Sequence, residues 1–262
     1  MTGNAQTWHH GLVARWWAEN NLDGPELEFF RSFVEAGQPA LDAGCGTGRL
    51  LIPYLQAGLD VDGADISADM LALCRERADR EGLPPPNLYA QALHELDLPR
   101  RYRTIVVCGA FGLGARRADD RESLRRLYEH LEPGGTLVLD NEVPWCVGYW
   151  RFWQKEARED LPLPWPDEGQ RRGDLELRSR FVDLDPHEQT LELAIRAALW
   201  ENGRRVREEE HVLTMTLYFT HELLLMLGRA GFVDVDLRAG YRDEPPTEDD
   251  DFVVLVARRP EA

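Results

Sequence analysis

Positive charge is scarce in this chain, and one of its usual carriers is almost missing, since Lys155 is the only lysine. Arginine supplies nearly all the rest, a pattern expected of coding bias in a GC-rich genome rather than of function. Lys and Arg together number 30 against 47 Asp and Glu, for a net charge of −17. A chain this acidic is a poor match for a nucleic-acid backbone, which is held by many cationic contacts. A small-molecule substrate is the simpler expectation, with no nucleic acid as partner. Long apolar runs are also absent. No stretch reaches the roughly eighteen apolar residues of a membrane span, so no membrane association is expected. The opening MTGNAQTWHHGL lacks a basic start followed by an apolar stretch, which argues against a secretory signal and for a cytoplasmic protein. The four cysteines, Cys45, Cys74, Cys108 and Cys146, form no CxxC pair, so neither a metal site nor a disulfide framework is expected.

What remains is patterned. The length fits one large α/β domain, or a core with a modest second lobe. Trp8, Leu12, Val13, Trp16 and Trp17 recur at spacings of three and four and predict a helix, closed by Gly24-Pro25. A second helix places Leu27, Phe30 and Val34 on one face and stops at Gly37. PALDAGCGTG then reads as a short apolar strand running into a glycine-rich turn. From there strand and helix alternate. Ser67 serves as N-cap and Gly82 as stop of one helix, TIVVCGAF is a strand of the buried type, and EPGG turns into TLVLDNEV. Such alternation implies a parallel sheet covered on both faces.

The rhythm breaks after Pro144. Residues 145–170, rich in Trp and Pro, read as a loop or lid with short helical pieces. Residues 174–218 alternate apolar and polar side chains and predict three antiparallel strands, with Asn202-Gly203 as a hairpin turn. A helix and two strands follow. The expected organisation is therefore a core over 1–143, a lid and β insert over 144–218, and a return to the core over 219–262.

The chemistry is concentrated in LDAGCGTGRL. A strand ends at Leu41-Asp42, and glycines at 44, 46 and 48 precede a helix. Glycine is required where backbone approaches a ligand or takes positive φ. The nicotinamide fingerprint GxGxxG would need a third glycine at position 49, where Arg49 stands, and it has no acid at the place of Asp42. This loop resembles the first motif of the class I S-adenosylmethionine-dependent methyltransferases, an acidic residue followed by GxGxG. The resemblance covers residues 40–140 and, less closely, the last forty residues.

The resemblance implies a Rossmann-like α/β sheet of seven strands, mostly parallel with the last antiparallel, carrying the antiparallel insert between strand five and the last helix. It implies S-adenosylmethionine (SAM) as cofactor. Asp42, Ala43, Gly44, Cys45, Gly46 and Gly48 would meet its methionine part, with Asp42 orienting the ammonium. Asp65 would hold the ribose, since a carboxylate accepts from two neighbouring hydroxyls. Ile66, Met70, Ala92 and Leu93 would surround adenine, although the acid usual after the third strand is replaced here by His94 and Glu95. A carbonyl of Cys108 or Gly109 would accept from the ammonium, and Arg15 or Arg49 would meet the carboxylate.

Methyl transfer from a sulfonium is an in-line displacement in which alignment matters most. An amine acceptor needs little beyond a lost proton, whereas a hydroxyl wants a base or a metal. His221 is the candidate base. Trp145, Tyr149, Trp150, Trp153, Tyr218 and Tyr241 are candidate walls of an acceptor pocket over the carboxyl ends of the strands. An insert so placed resembles that of amino-sugar and glycine-type N-methyltransferases, where it covers the site or forms a dimer contact. The expected function is N- or O-methylation of a small metabolite by a protein that could pair through the insert. A non-catalytic SAM-binding scaffold is the alternative from another class, and an NAD(P)-type oxidoreductase a weaker one.

Overall fold

Two helices open the described chain, α1 (Gly11–Asn20) and α2 (Glu26–Ala36). Strand and helix then alternate as β1 (Ala40–Ala43), α3 (Leu51–Gln56), β2 (Val61–Asp65), α4 (Ala68–Arg80), β3 (Leu88–Ala90), β4 (Tyr102–Val107), α5 (Arg117–His130) and β5 (Leu131–Glu142). A 3-10 turn at Trp150–Trp153 and the short α6 (Lys155–Arg158) lead to β6 (Gln170–Arg172), β7 (Leu175–Asp185), β8 (Thr190–Glu201) and β9 (Arg204–Thr216). The chain closes with α7 (Thr220–Ala230), β10 (Val233–Ala239) and β11 (Phe252–Arg258). The computed structural model describes residues 7–114, 116–145 and 150–261.

Seven strands form one sheet in the order β10-β11-β5-β4-β1-β2-β3. Strands β1 to β5 run parallel, and β11 lies antiparallel between β5 and β10. The expected Rossmann-like architecture is therefore present. The insert is a second sheet, β6-β7-β8-β9, with four strands rather than three. The additional strand begins at the last residue of the stretch expected to be loop and runs into the gap before the expected strands, where Gln170–Arg172 pairs with residues 175–177. All three of its residues are exposed and polar, so backbone bonds and the Arg171 guanidinium stacked over Trp200 hold it and no apolar alternation betrays it.

Local chemistry explains several boundaries. The Ser67 side chain accepts from Met70 N and starts α4, while Arg77 and Arg80 in its last turn complement the helix dipole. Asn202 and Gly203 both take positive φ, 48° and 76°, as the tight turn joining β8 to β9 requires. The buried faces divide in three. One core lies between the sheet and α5 and α7, and another forms beneath α2, α3 and α4. A third joins α1 to the insert, where Leu12, Val13 and Trp16 meet Leu175, Ile195 and Ala197. Among the described residues no helix is long and apolar enough to cross a membrane.

Candidate active site

The carboxyl ends of β1 to β4 open into a cavity of about 470 Å³. Its floor is the glycine loop. Gly44 takes φ +90°, and a Cβ there would stand 2.3 Å from the Cβ of Ala110, so no other residue fits. Gly44 N and Cys45 N both donate to Ala64 O, which binds the loop to β2. Gly46 N donates to Asp65 Oδ2 at 2.9 Å, and Ser67 N to Asp65 Oδ1 at 2.7 Å. Burial raises the Asp65 pKa and these two bonds oppose the rise. Each oxygen keeps a lone pair for a ligand hydroxyl.

Ten of the expected cofactor residues line this cavity: Gly44, Cys45, Gly46, Asp65, Ile66, Met70, Ala92, Leu93, Cys108 and Gly109. Asp42, Ala43 and Gly48 stand behind the loop instead. Gly48 is explained by packing, because a Cβ there would come within 2.7 Å of Cys74 Sγ and Ile52 Cγ1. Asp42 is buried, its Oδ2 has no hydrogen-bond partner, and burial together with the Asp65 charge pushes its pKa up to about 7. Between the two arginine candidates, Arg49 lies on the wall and Arg15 does not. Arg15 is turned to Glu19 and to Asp174 at the start of the insert, two partners that hold it outside the cavity. Arg49 pairs with the buried Glu26 and donates to Cys108 Sγ at 3.3 Å.

The substrate-side expectations require correction. None of Trp145, Trp150, Trp153, Tyr218 and Tyr241 lines the cavity. Trp145 and Trp150 are largely exposed. Trp153 donates from its indole to Pro144 O at 2.8 Å, and Tyr218 is buried with its hydroxyl on Asp120 at 2.6 Å. Tyr241 packs among Phe29, Phe30 and Phe252 and acts from behind, through Asp140 and Cys108. Tyr149 lies outside the described residues. His221 sits exposed in the first turn of α7, on a separate groove, so it has no route to a reacting atom in the cavity.

The aromatic wall comes instead from the N-terminal segment. Trp8, His9, Trp17 and Asn21 face the glycine loop, and Leu113 and Met215 close another side. The segment is strapped down at both ends of its crossing. Ser67 Oγ donates to His9 O, Gly11 N to Asp69 Oδ2 at 2.8 Å, and Leu12 N to Glu209 Oε2 at 2.7 Å. His9 Nε2 accepts from the Trp8 indole at 3.0 Å, which leaves its proton on Nδ1, 2.6 Å from Thr7 Oγ1. Burial and the neighbouring His10 push its pKa down to about 4, so the ring is neutral. The Trp17 indole N–H is buried without any acceptor. Of the five residues expected on one helix face, Trp8 and Trp17 line the cavity while Leu12, Val13 and Trp16 pack against the insert, and Trp8 lies ahead of α1.

Two orphaned polar atoms therefore stand at or just behind the wall of this site, an acceptor on Asp42 behind the glycine loop and a donor on Trp17 on the wall. A buried polar group without a partner is costly, and the pair suits a ligand that carries both an ammonium and a carboxylate. The amino-acid end of SAM is such a group. Among the described residues no cluster of His, Cys, Asp and Glu could hold a metal ion.

Comparison with known proteins agrees with this geometry. Residues 40–135 match a family described as a methyltransferase domain. A protein of Geobacillus sp. (strain WCH70), itself provisionally assigned as a methyltransferase, is 23% identical over 260 residues, 93% of this chain and 97% of that one. The dTDP-3-amino-3,6-dideoxy-alpha-D-glucopyranose N,N-dimethyltransferase of Streptomyces fradiae is 33% identical over 107 residues, 40% of this chain and 38% of that one. That likeness spans well under half of either protein. The solved CcbJ methyltransferase from Streptomyces caelestis superposes with a TM-score of 0.75 at 22% identity, covering 99% of this chain and 100% of its own. At that identity the likeness is one of fold.

Proposed function

We propose that this chain is an S-adenosylmethionine-dependent methyltransferase that methylates the nitrogen of a small-molecule amine. The observation that carries the reading is that, among the described residues, no ionisable side chain on the part of the cavity wall facing the methyl position is free to take a hydroxyl proton. His9 is neutral, but its one acceptor nitrogen is already used by the Trp8 indole. His94 follows Ala92 and Leu93, in the part of the wall that would meet adenine rather than the reacting methyl. Burial raises the Cys108 thiol far above its ordinary pKa, so it carries no thiolate. Asp65 accepts two backbone amides and would spend its remaining lone pairs on the ribose, and Asp120 holds the Tyr218 hydroxyl.

Bound SAM supplies a methyl carbon already activated by its sulfonium. The residues of this chain then have three tasks: to align the acceptor, to exclude water, and to leave the nitrogen lone pair free. The aromatic and aliphatic surfaces of Trp8, Trp17, Leu113 and Met215 suit the first two. The amine loses its proton to solvent before it enters. The cavity volume lies in the usual range for small-molecule sites. The amino-sugar activity in the name of the S. fradiae relative supports an amine acceptor.

The test is transfer of a labelled methyl group to a panel of amines and to the matching alcohols. Transfer confined to amines is expected, with kcat/KM rising as pH approaches the acceptor's own pKa. Equal transfer to alcohols would overturn the reading.

A further inference from the structure

Against a net charge of −17, three arginines and a histidine line a groove outside the cofactor cavity. A groove of about 370 Å³ runs between α5 and α7. Arg117 and Arg121 stand four residues apart on α5, while His221, Leu225 and Arg229 recur every four residues on α7. Each set therefore projects from one side of its helix, and the two sides face each other across the groove.

The cations are unequally used. Arg117 is fixed by Glu222, Gln189 and the Glu188 carbonyl, with its guanidinium 5.0 Å above the Tyr218 ring. Glu222, the one carboxylate lining the groove, is thereby spent on it. Arg121 and Arg229 are exposed and form no ion pair or side-chain hydrogen bond among the described residues. Leu225, at 70% exposure, is the most exposed of the large apolar side chains and lies between His221 and Arg229. Like charges assembled without counter-charges repel each other, and a multivalent anion turns that repulsion into attraction.

We propose that this groove is a second ligand site, taking a phosphate or diphosphate group on Arg121, Arg229 and the anchored Arg117. Leu225 and Met226 would receive an apolar portion of the same molecule. The groove and the cofactor cavity share a wall, because Tyr218 lines the groove while its hydroxyl holds Asp120, which lines the cavity. The phosphate can thus belong to the acceptor itself or to a separate phosphorylated molecule.

The test is calorimetric titration of inorganic pyrophosphate into the full chain saturated with S-adenosylhomocysteine at low ionic strength. Its readout is binding, so it stands or falls independently of the methyl-transfer reading. Saturable binding is expected, weakening with added salt and falling roughly tenfold or more in the R121Q/R229Q double variant. Cofactor affinity should be the same in both proteins, which also shows the variant to be folded. Absence of saturable binding at millimolar pyrophosphate, or equal affinity in the double variant, overturns the proposal. In turnover assays, inhibition competitive with the acceptor assigns the site to the acceptor's own phosphate. A change in turnover without competition assigns it to a separate molecule.

Discussion

The hydroxyl of Tyr241 donates to Oδ2 of Asp140 at 2.7 Å, while the other oxygen of that carboxylate takes the N–H of Gly109 at 2.6 Å. One buried acid thus joins the segment after β10 to the backbone that follows β4. Burial raises the Asp140 pKa, and its donors pull it back. Tyr241→Phe removes one donor to this group, and a loss of about 1.5–3 kcal/mol in unfolding free energy is expected. SAM affinity should fall severalfold as the Gly109 segment loosens. Urea unfolding and calorimetry on the same variant check both numbers, and undiminished stability would show that the bond carries no weight.

Trp17→Phe separates ligand recognition from packing. The ring volume is largely kept while the indole N–H, which has no acceptor in the protein, is lost. Stability of the free protein should hold or rise, because a buried unsatisfied donor has been removed. SAM should bind about ten- to a hundredfold more weakly, as expected for a hydrogen bond to a carboxylate. Equal affinity would mean that the indole points at something other than the cofactor.

Asp42 predicts a proton signature. Its pKa is pushed from 3.8 up to about 7, so the folded protein holds this proton more tightly than the unfolded chain does. Its contribution to stability is complete below 3.8 and is lost as pH rises toward 7. A ligand ammonium favours the ionised form. SAM binding should therefore tighten as pH rises through about 7 and should release a proton. Titrations in buffers of different ionisation heat measure that release, and Asp42→Asn should abolish it. Undiminished release in the variant would assign the proton to another group.

The two arginines should behave oppositely. Arg15→Gln breaks a pair whose members are 38% and 43% exposed, so a stability change of about 1 kcal/mol or less is expected, with SAM affinity unaltered. Arg49→Met strands Glu26, whose side chain is 7% exposed, and should cost about 3–5 kcal/mol. Replacing both members, Glu26→Leu with Arg49→Met, should recover much of that loss. Thermal denaturation of the three variants orders them directly.

The cofactor half was legible because its chemistry is local. Asp42 to Gly48 are contiguous across the end of β1 and the loop after it, and Asp65 with Ile66 ends the neighbouring strand, so spacing alone marks them. The remainder depends on partners remote in sequence. Arg15 and Arg49 look alike until Asp174 and Glu26 are seen to claim them. Trp17 and Trp153 are both tryptophans near helical turns, yet one indole meets the cavity and the other Pro144 O. Composition reveals that aromatic residues are present but not which way they point. Strand β6 escaped for a similar reason, since it is held by backbone pairing and by Arg171 over the remote Trp200.

The place of β11 bears on how the protein is made. Residues 252–258 fill the gap between β5 and β10, pairing along Thr136–Glu142 on one side. On the ribosome, β5 is complete more than a hundred residues before that partner emerges. Throughout that interval Leu137, Val138 and Leu139 carry an open row of backbone donors and acceptors, the kind of edge that draws in other chains. A nascent chain halted before residue 252 would own the whole glycine loop and still have a sheet that is adhesive beside its centre.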